Sequence, residues 1–216
     1  MGIFAEKAIY ATDVEAIGLT GTKAVIHVMA GDGSESTFEV EIPIAGEHNV
    51  YNALAAVGVA RELGLTMEEM KRGIESVQTI GGRSNLIHRN GMTIIDDCYN
   101  ANPVSMKAAI DVLAKADGRK IAVLGDMGEL GADERKLHFA VGEHFVQKGI
   151  DMLCCTGELS TEIVNGAVSV SPDTQVHYYE TKEELIKALK EVCKEGDTIL
   201  VKASHFMNFQ EIVKVL

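Results

Sequence analysis

The chain has 216 residues, of which 46% are hydrophobic and 24% charged, and only three prolines. That composition excludes long disordered or low-complexity stretches and allows one good core or two smaller ones. A formal net charge of −12 argues against a protein held on nucleic acid by phosphate contacts, since that needs a basic face; a small basic pocket inside the acidic shell stays compatible with it.

Four cysteines, Cys98, Cys154, Cys155 and Cys193, follow no metal-binding spacing and read as buried, reduced thiols of a cytosolic protein. The opening MGIFAEKAIY has no apolar core of signal-peptide length, and no segment reaches the length of a membrane span. The expectation is a soluble, intracellular protein.

The first stretch of the chain reads as β-structure. Residues 23–30 are rich in β-branched side chains, and Gly31-Asp-Gly-Ser34 is turn chemistry. Phe38, Val40, Ile42 and Ile44 then alternate with Thr37, Glu39, Glu41 and Pro43, the period of two that marks a half-buried antiparallel strand. A helix is expected from His48, with Val50, Leu54, Val57 and Ala60 on one face and Gly64 as its stop. The next helix opens on Thr66, with Glu69 completing a capping box, and runs to about Val77.

Gly81-Gly82 marks a domain boundary. Beyond it, Asn90-Gly91 is the turn of a hairpin between residues 84–89 and 92–96, and Asn102-Pro103 reads as an N-cap followed by proline at the first helical position. Strands are expected over 120–124, 151–156, 175–179 and 198–202, and helices near 132–148, 160–167, 182–193 and 208–216. This alternation predicts parallel strands with crossover helices, an α/β sheet whose ligands bind at the carboxyl ends of the strands. The loops to watch are then 96–102, 125–131 and 203–207. By contrast, residues 1–81 offer a thin core and read as the tail of a larger domain.

Asp96-Asp97 follows an apolar strand, where two acids could take a ribose hydroxyl or a metal-bound water; a solvated strand end is the plainer alternative. Asn100 and Asn102 could read a base edge, or Asn102 could only cap the next helix. Cys98 has no visible base to activate it. Gly125-Asp-Met-Gly-Glu-Leu-Gly131 is a weak phosphate cradle or a tight turn. Gly18-Leu-Thr-Gly-Thr-Lys23 has the wrong order for a P-loop, so no segment offers a recognisable hold on the β- and γ-phosphates of a nucleotide. His138 and His144 lie six residues apart on one predicted helix, share no face, and read as structural rather than metal-binding. His48, with Asn49 and Asn52, forms a polar cluster at a helix start, possible as a cap. Lys202-Ala-Ser-His205 ends the last strand, where a cation and donors could meet an anionic group.

The order of these segments resembles the Mur ligase family. Gly46-Glu-His-Asn-Val-Tyr-Asn-Ala-Leu-Ala-Ala56 is similar to its HNxxNxLAA segment, and Arg83 stands where that family has an arginine. Ile95-Asp-Asp-Cys-Tyr-Asn-Ala-Asn-Pro-Val-Ser-Met-Lys107 and Val123-Leu-Gly-Asp-Met-Gly-Glu-Leu-Gly131 resemble the branch that adds D-Ala-D-Ala to UDP-MurNAc-tripeptide. The resemblance implies that residues 1–81 are the C-terminal remnant of a central ATPase domain, antiparallel strands plus two helices. Residues 82–216 would be a complete Rossmann-like C-terminal domain with a mostly parallel sheet. It also implies a cytoplasmic, monomeric ATP-dependent amide ligase of peptidoglycan synthesis that works through an acyl phosphate. The UDP-sugar domain, the P-loop and the Mg2+-binding residues, a carbamoylated lysine among them, would lie outside this chain, leaving it inactive alone.

Residue by residue, the resemblance puts His48 and Asn52 beside the adenine, Arg83 at the γ-phosphate and Asp97 on the ribose. Tyr99, Asn100 and Asn102 would line the nucleotide side of the cleft, and Lys202 and Ser204 would face the incoming amino substrate. Two departures are visible. Cys98 replaces the usual serine, and Ala203 and His205 stand where a Lys-Gly-Ser-Arg-like run is more usual. Rival readings are another member of the superfamily, such as the enzyme adding the third residue or a folylpolyglutamate synthase, and a non-catalytic nucleotide-binding module. The Tyr-Asn-Ala-Asn-Pro run argues against the first pair, and a GKT/S loop upstream would exclude the last.

Overall fold

The structure is a computed structural model that describes residues 3–5 and 8–216, with side chains from residue 8 onward. The chain divides into two compact units, Met1–Thr79 and Ile80–Leu216.

In the first unit, β1 (Ile3–Ala5), β2 (Ile9–Ile17), β3 (Gly21–Met29) and β4 (Glu35–Ile42) form an antiparallel meander in the order β1-β2-β3-β4. The β3–β4 turn is held by Asp32, whose carboxylate accepts from the Ser34 amide and hydroxyl, while Gly33 takes a positive φ. Only one face of the sheet is apolar. Ala24, Ile26 and Val28 of β3 join Ala11, Val40 and Ile42 under helix α1 (His48–Glu62) and helix α2 (Met67–Glu75). The helices answer with Val50, Ala53, Leu54 and Val57, and with Met70 and Ile74. The alternation in β4 follows the expected pattern, but the strand stops at Ile42, before Pro43. In β2 the register shifts between Thr12 and Glu15, with Asp13 at φ +50°, a bulge that polar residues conceal from a reading of periodicity. The Thr66–Glu69 capping box is present, and α2 ends at Glu75, two residues short of the expected Val77.

The second unit is an α/β sheet of β5 (Asn85–Arg89), β6 (Met92–Asp96), β7 (Lys120–Leu124), β8 (Met152–Thr156), β9 (Val176–Tyr179) and β10 (Thr198–Lys202). The order is β5-β6-β10-β7-β8-β9, parallel throughout except for the β5–β6 hairpin. Asn90 (φ +51°) and Gly91 (φ +73°) make its two-residue turn, the pair of left-handed conformations that matches the twist of the flanking strands. The last strand of the chain, β10, lies in the middle, buried along all five residues, so β6 and β7 are neighbours only through it.

Helices cover both faces, as a mostly parallel sheet requires. Helix α6 (Lys182–Val192) and helix α7 (Gln210–Val215) place Leu185, Leu189, Ile212 and Val213 against Ile94, Ile121, Val123, Cys154, Ile199 and Val201. The alternate strand residues, Ile95, Ala122, Leu124, Leu153, Cys155 and Leu200, are equally buried and point to the other face. That face carries α3 (Pro103–Leu113), α4 (Glu134–Gln147) and α5 (Ser160–Val170). Three short deviations from the sequence reading occur. A 3-10 turn at Gly131–Asp133 precedes α4, α5 continues three residues beyond Ala167, and Asn208 in the left-handed region delays α7 to Gln210.

Helices α4 and α5 touch through glycines. A methyl group on Gly142 would run into the carbonyl of Ile163, and one on Gly166 into the carbonyl of Phe139. Replacing a mid-helix glycine by alanine gains about 1 kcal/mol of helix propensity, but overpacking costs about 1–3 kcal/mol, and here it falls on rigid backbone. Gly142→Ala should therefore lower stability in chemical denaturation. Gly73→Ala should raise it by up to about 1 kcal/mol, because α2 leaves open space around Gly73. A stabilising Gly142→Ala would show that the two helices can part without cost.

All four cysteines are free thiols; Cys98, Cys154 and Cys155 are buried, and Cys193 is half-buried. Burial pushes the Cys154 thiol up to about 12 and the Cys193 thiol up to about 11, and raises Cys98 and Cys155 as well. A raised value means that the folded state holds these protons more tightly than the unfolded chain does. Their contribution is complete below the ordinary thiol value of 9.0 and falls away as pH climbs toward 11 and 12. Urea midpoints under reducing conditions should decline from about pH 9 upward, and replacing Cys154 by alanine should flatten that decline.

Candidate functional site

The carboxyl ends of β6, β10, β7 and β8 lie side by side, and the loops that leave them form one connected edge. Lys202 is the residue that joins two of them. It is the last residue of β10 and only 2% exposed, because its apolar stem fits the strand's buried surroundings. Its ammonium donates to Asp97 Oδ2 at 2.6 Å and to the carbonyls of Asn100 at 2.9 Å and Asp97 at 3.4 Å. All three donors of the lysine thus close onto the loop after β6.

That loop in turn holds the segment around Arg83. Asp96 Oδ2 accepts from the Gly82 amide at 2.8 Å, Asp97 Oδ1 accepts from the Ser84 amide at 2.9 Å, and the Tyr99 amide donates to the Gly82 carbonyl at 2.9 Å. Gly82 sits at φ +79°, and a Cβ there would press on Tyr99 at 3.2 Å, so both conformation and space call for glycine. The guanidinium of Arg83, exposed to solvent, lies over the Tyr99 ring, 4.0 Å from its centroid. Tyr99 is tilted against His205, with ring centroids 5.5 Å apart. Cys98 donates from its thiol to Asp96 Oδ1. Burial first, and then that carboxylate, push the thiol up, so it stays protonated and is no nucleophile. Asn102 caps α3 reciprocally with Ser105, and the Asn100 side chain accepts from the Ala101 amide.

The loop after β7 is fixed from three sides. His138, fully buried, accepts from the Met127 amide at Nε2 and donates from Nδ1 to the Glu134 carbonyl, which defines a neutral tautomer. Ser204, 4% exposed, accepts from the Gly128 amide at 2.8 Å, and its own amide donates to the Asp126 carbonyl. Asp126, 7% exposed, accepts from the amide and the hydroxyl of Ser160 at the first turn of α5. A side chain on Gly157 would collide with that carboxylate. The amide end of α5 is thus filled by the protein's own carboxylate. The 125–131 loop is an open segment held from outside by the Lys202 carbonyl, His138 and Ser204 rather than a tight turn, with Glu129 and Gly131 at positive φ, and neither His138 nor Asp126 had declared its partner in the sequence.

In the first unit, His48 and Asn52 are exposed at the start of α1. Asn49, buried, organises them: it donates to the Ala45 carbonyl, accepts from Asn52 Nδ2 at 3.1 Å and lies 3.2 Å from His48 Nε2. The N-cap position is Glu47, with no side-chain cap bond, so the cluster is not a cap. Among the described residues, no three His, Cys, Asp or Glu side chains converge as a metal site would need. No helix among them is long and apolar enough to cross a membrane.

Residues 82–205 match the glutamate ligase domain of the Mur ligases. The chain belongs to the Mur ligase family. It is similar to the UDP-N-acetylmuramoyl-tripeptide–D-alanyl-D-alanine ligase of Bacillus subtilis, at 41% identity over 85% of this chain and 40% of that protein. A solved D-alanyl-D-alanyl ligase from Acinetobacter baumannii superposes with a TM-score of 0.84 at 30% identity, covering 98% of this chain and 44% of that one. The ligase MurF of Thermotoga maritima, solved with ADP, gives 0.76 at 26% identity over 96% of this chain and 45% of its own. The chain thus spans about 40% of the length of the curated relative it matches.

Because Lys202 is so deeply buried, removing its counter-charge should be costly. Asp97→Ala is expected to destabilise the chain by about 3–5 kcal/mol in urea titration, the range for stranding one member of a buried pair. Lys202→Met should cost less, since Asp97 is the more exposed partner at 16% against 2%. The reverse order would mean that the two backbone carbonyls alone satisfy the ammonium.

Proposed function

We propose that this chain is the C-terminal part of an ATP-dependent amide ligase that joins D-Ala-D-Ala to UDP-MurNAc-tripeptide in the cytoplasm. Residues 1–81 would be the end of its central ATPase domain and residues 82–216 its whole C-terminal domain, in a monomeric enzyme. The observation that carries this reading is an exposed guanidinium, Arg83, stacked over the Tyr99 ring on a Mur ligase domain, with the next residue's amide bonded to the Asp97 carboxylate.

ATP gives its γ-phosphoryl group to the tripeptide's terminal carboxylate, releasing ADP and leaving an acyl phosphate; the amine of D-Ala-D-Ala then attacks the acyl carbon, and inorganic phosphate leaves as the amide forms. The reactants are both anionic, so a cation must meet the γ-phosphoryl group as charge builds on it. Arg83 is that cation. Asp97 receives a ribose hydroxyl: each of its oxygens accepts at least one internal bond yet keeps acceptor capacity. Tyr99, Asn100 and Asn102 line the nucleotide side, and His48 and Asn52, on the first unit, border the adenine. Lys202 and Ser204 serve the amino-substrate side indirectly, since both are buried and fix the loop that carries His205. The reaction's Mg2+ is assigned to no residue of this chain.

In the full-length enzyme, Arg83→Ala should cut turnover by roughly three to five orders of magnitude, as comparable arginines do, while UDP-tripeptide binding and folding persist. Arg83→Lys should recover only part, because a point charge does not reproduce the guanidinium fork. Turnover of Arg83→Ala within a few-fold of the parent at saturating ATP would remove the basis for the assignment.

A further inference from the structure

We propose that Tyr99 is a positioning residue for Arg83, holding its guanidinium ready for phosphate without occupying any of its hydrogen-bond donors. The inference rests on the reading of Arg83 as the phosphate cation and deepens it.

A free arginine on a surface loop samples many rotamers and loses that freedom when it engages an anion. The usual way to restrain one is a carboxylate, which would neutralise the charge and take up its donors. Here the restraint is of another kind. Among the described residues no ion pair or side-chain hydrogen bond is found at Arg83, although Asp96 and Asp97, at the end of β6, bond the amides of its neighbours Gly82 and Ser84. Both carboxylates are turned to other partners: Asp96 to the Gly82 amide and the Cys98 thiol, Asp97 to the Ser84 amide and Lys202. What meets the guanidinium is the ring of Tyr99, at 4.0 Å. The ring's negative face attracts the cation, while the N–H groups in the guanidinium plane remain available.

Three further contacts make this a fixed arrangement rather than a chance one. The Tyr99 amide is bonded to the Gly82 carbonyl, one residue before Arg83, so ring and guanidinium start from adjoining backbone. Gly82 lacks a Cβ where one would push Tyr99 away, and its positive φ turns the chain so that residue 83 emerges beside the ring. His205 lies tilted against the ring, with centroids 5.5 Å apart, and limits its rotation. His205 is one of the departures from the family's usual run, so it supplies a flat brace at a position where an arginine would compete for the same ring.

The test uses the full-length enzyme, with Tyr99→Leu and Tyr99→Phe each made in the parent and in the Arg83→Ala background. Tyr99→Leu should lower kcat by roughly ten- to a hundredfold, the scale of a small misplacement of a catalytic group, with KM for ATP changed less than kcat. On kcat it should have no further effect once Arg83 is gone, while any change in KM for ATP, which reports Tyr99's own place beside the nucleotide, should be the same in both backgrounds; Tyr99→Phe should recover most of the kcat loss. An equal loss of kcat in both backgrounds would overturn the proposal, since Tyr99 would then act on turnover independently of Arg83. So would an unchanged kcat in Tyr99→Leu while Arg83→Ala is crippling. If Arg83→Ala is itself mild, the phosphate role fails and the stack is judged separately, by NMR on the 216-residue chain. The Arg83 side-chain signals should carry a ring-current displacement that survives Tyr99→Phe and vanishes in Tyr99→Leu. Undisplaced signals in the parent chain would overturn the stack.

Discussion

One buried ammonium organises the functional edge of the second unit. Lys202 arrives on the last strand of the chain, in the middle of the sheet, and meets the loop that left β6 about a hundred residues earlier in sequence. Burying a lysine is costly unless its donors find acceptors, and the loop provides a carboxylate and two carbonyls. The dependence then runs outward. Asp97, set by Lys202, receives the Ser84 amide; Ser84 and Gly82 bracket Arg83; and Tyr99, tied to Gly82, carries the guanidinium. An exposed cation is thus carried by a loop that a buried one braces, and the bonds of Lys202 to that loop exist only with β10 in the sheet.

The departures from the family's usual residues fit this scheme individually. Cys98 donates to Asp96 as a serine hydroxyl would, and burial keeps its proton in place. Ala203 carries a methyl group into a fully buried position, and the room comes from Gly125, where any side chain would meet that methyl and the ring of Phe209. The extra carbon on one strand end is matched by a missing one on its neighbour. His205 keeps an aromatic surface against Tyr99 where an arginine would compete with Arg83 for the ring.

Much of the second unit was legible because its signals are local. The strands at Lys120–Leu124 and Thr198–Lys202 are short apolar runs with polar borders, the hairpin turn is Asn-Gly, and α3 opens on an Asn cap followed by proline. The strand Ile9–Ile17 was less distinct, since a bulge at Asp13 breaks its alternation among Thr12, Asp13 and Glu15. For the proposed site residues, the sequence offers identities but no partners. Lys202 looks like a cation facing a ligand, and only partners at positions 97 and 100 reveal it as an internal brace. His138 reads as structural, yet its bond to Met127 depends on how a helix packs beneath a loop. Such pairings join residues far apart in sequence, and periodicity carries no trace of them.

Asp126 at the head of α5 has a consequence for chemical selectivity. Many nucleotide-binding sheets offer inhibitors an anchor at a helix N-terminus, where bare amides and the helix dipole attract a phosphate mimic. Here the first-turn amide of that helix already faces a carboxylate, which packs where a side chain on residue 157 would stand. A compound whose affinity comes from an anionic warhead at that anchor would meet like charge. Scaffolds anchored at that helix end should therefore transfer poorly to this domain, and flat cations would fare no better at Tyr99, whose ring already carries the Arg83 guanidinium.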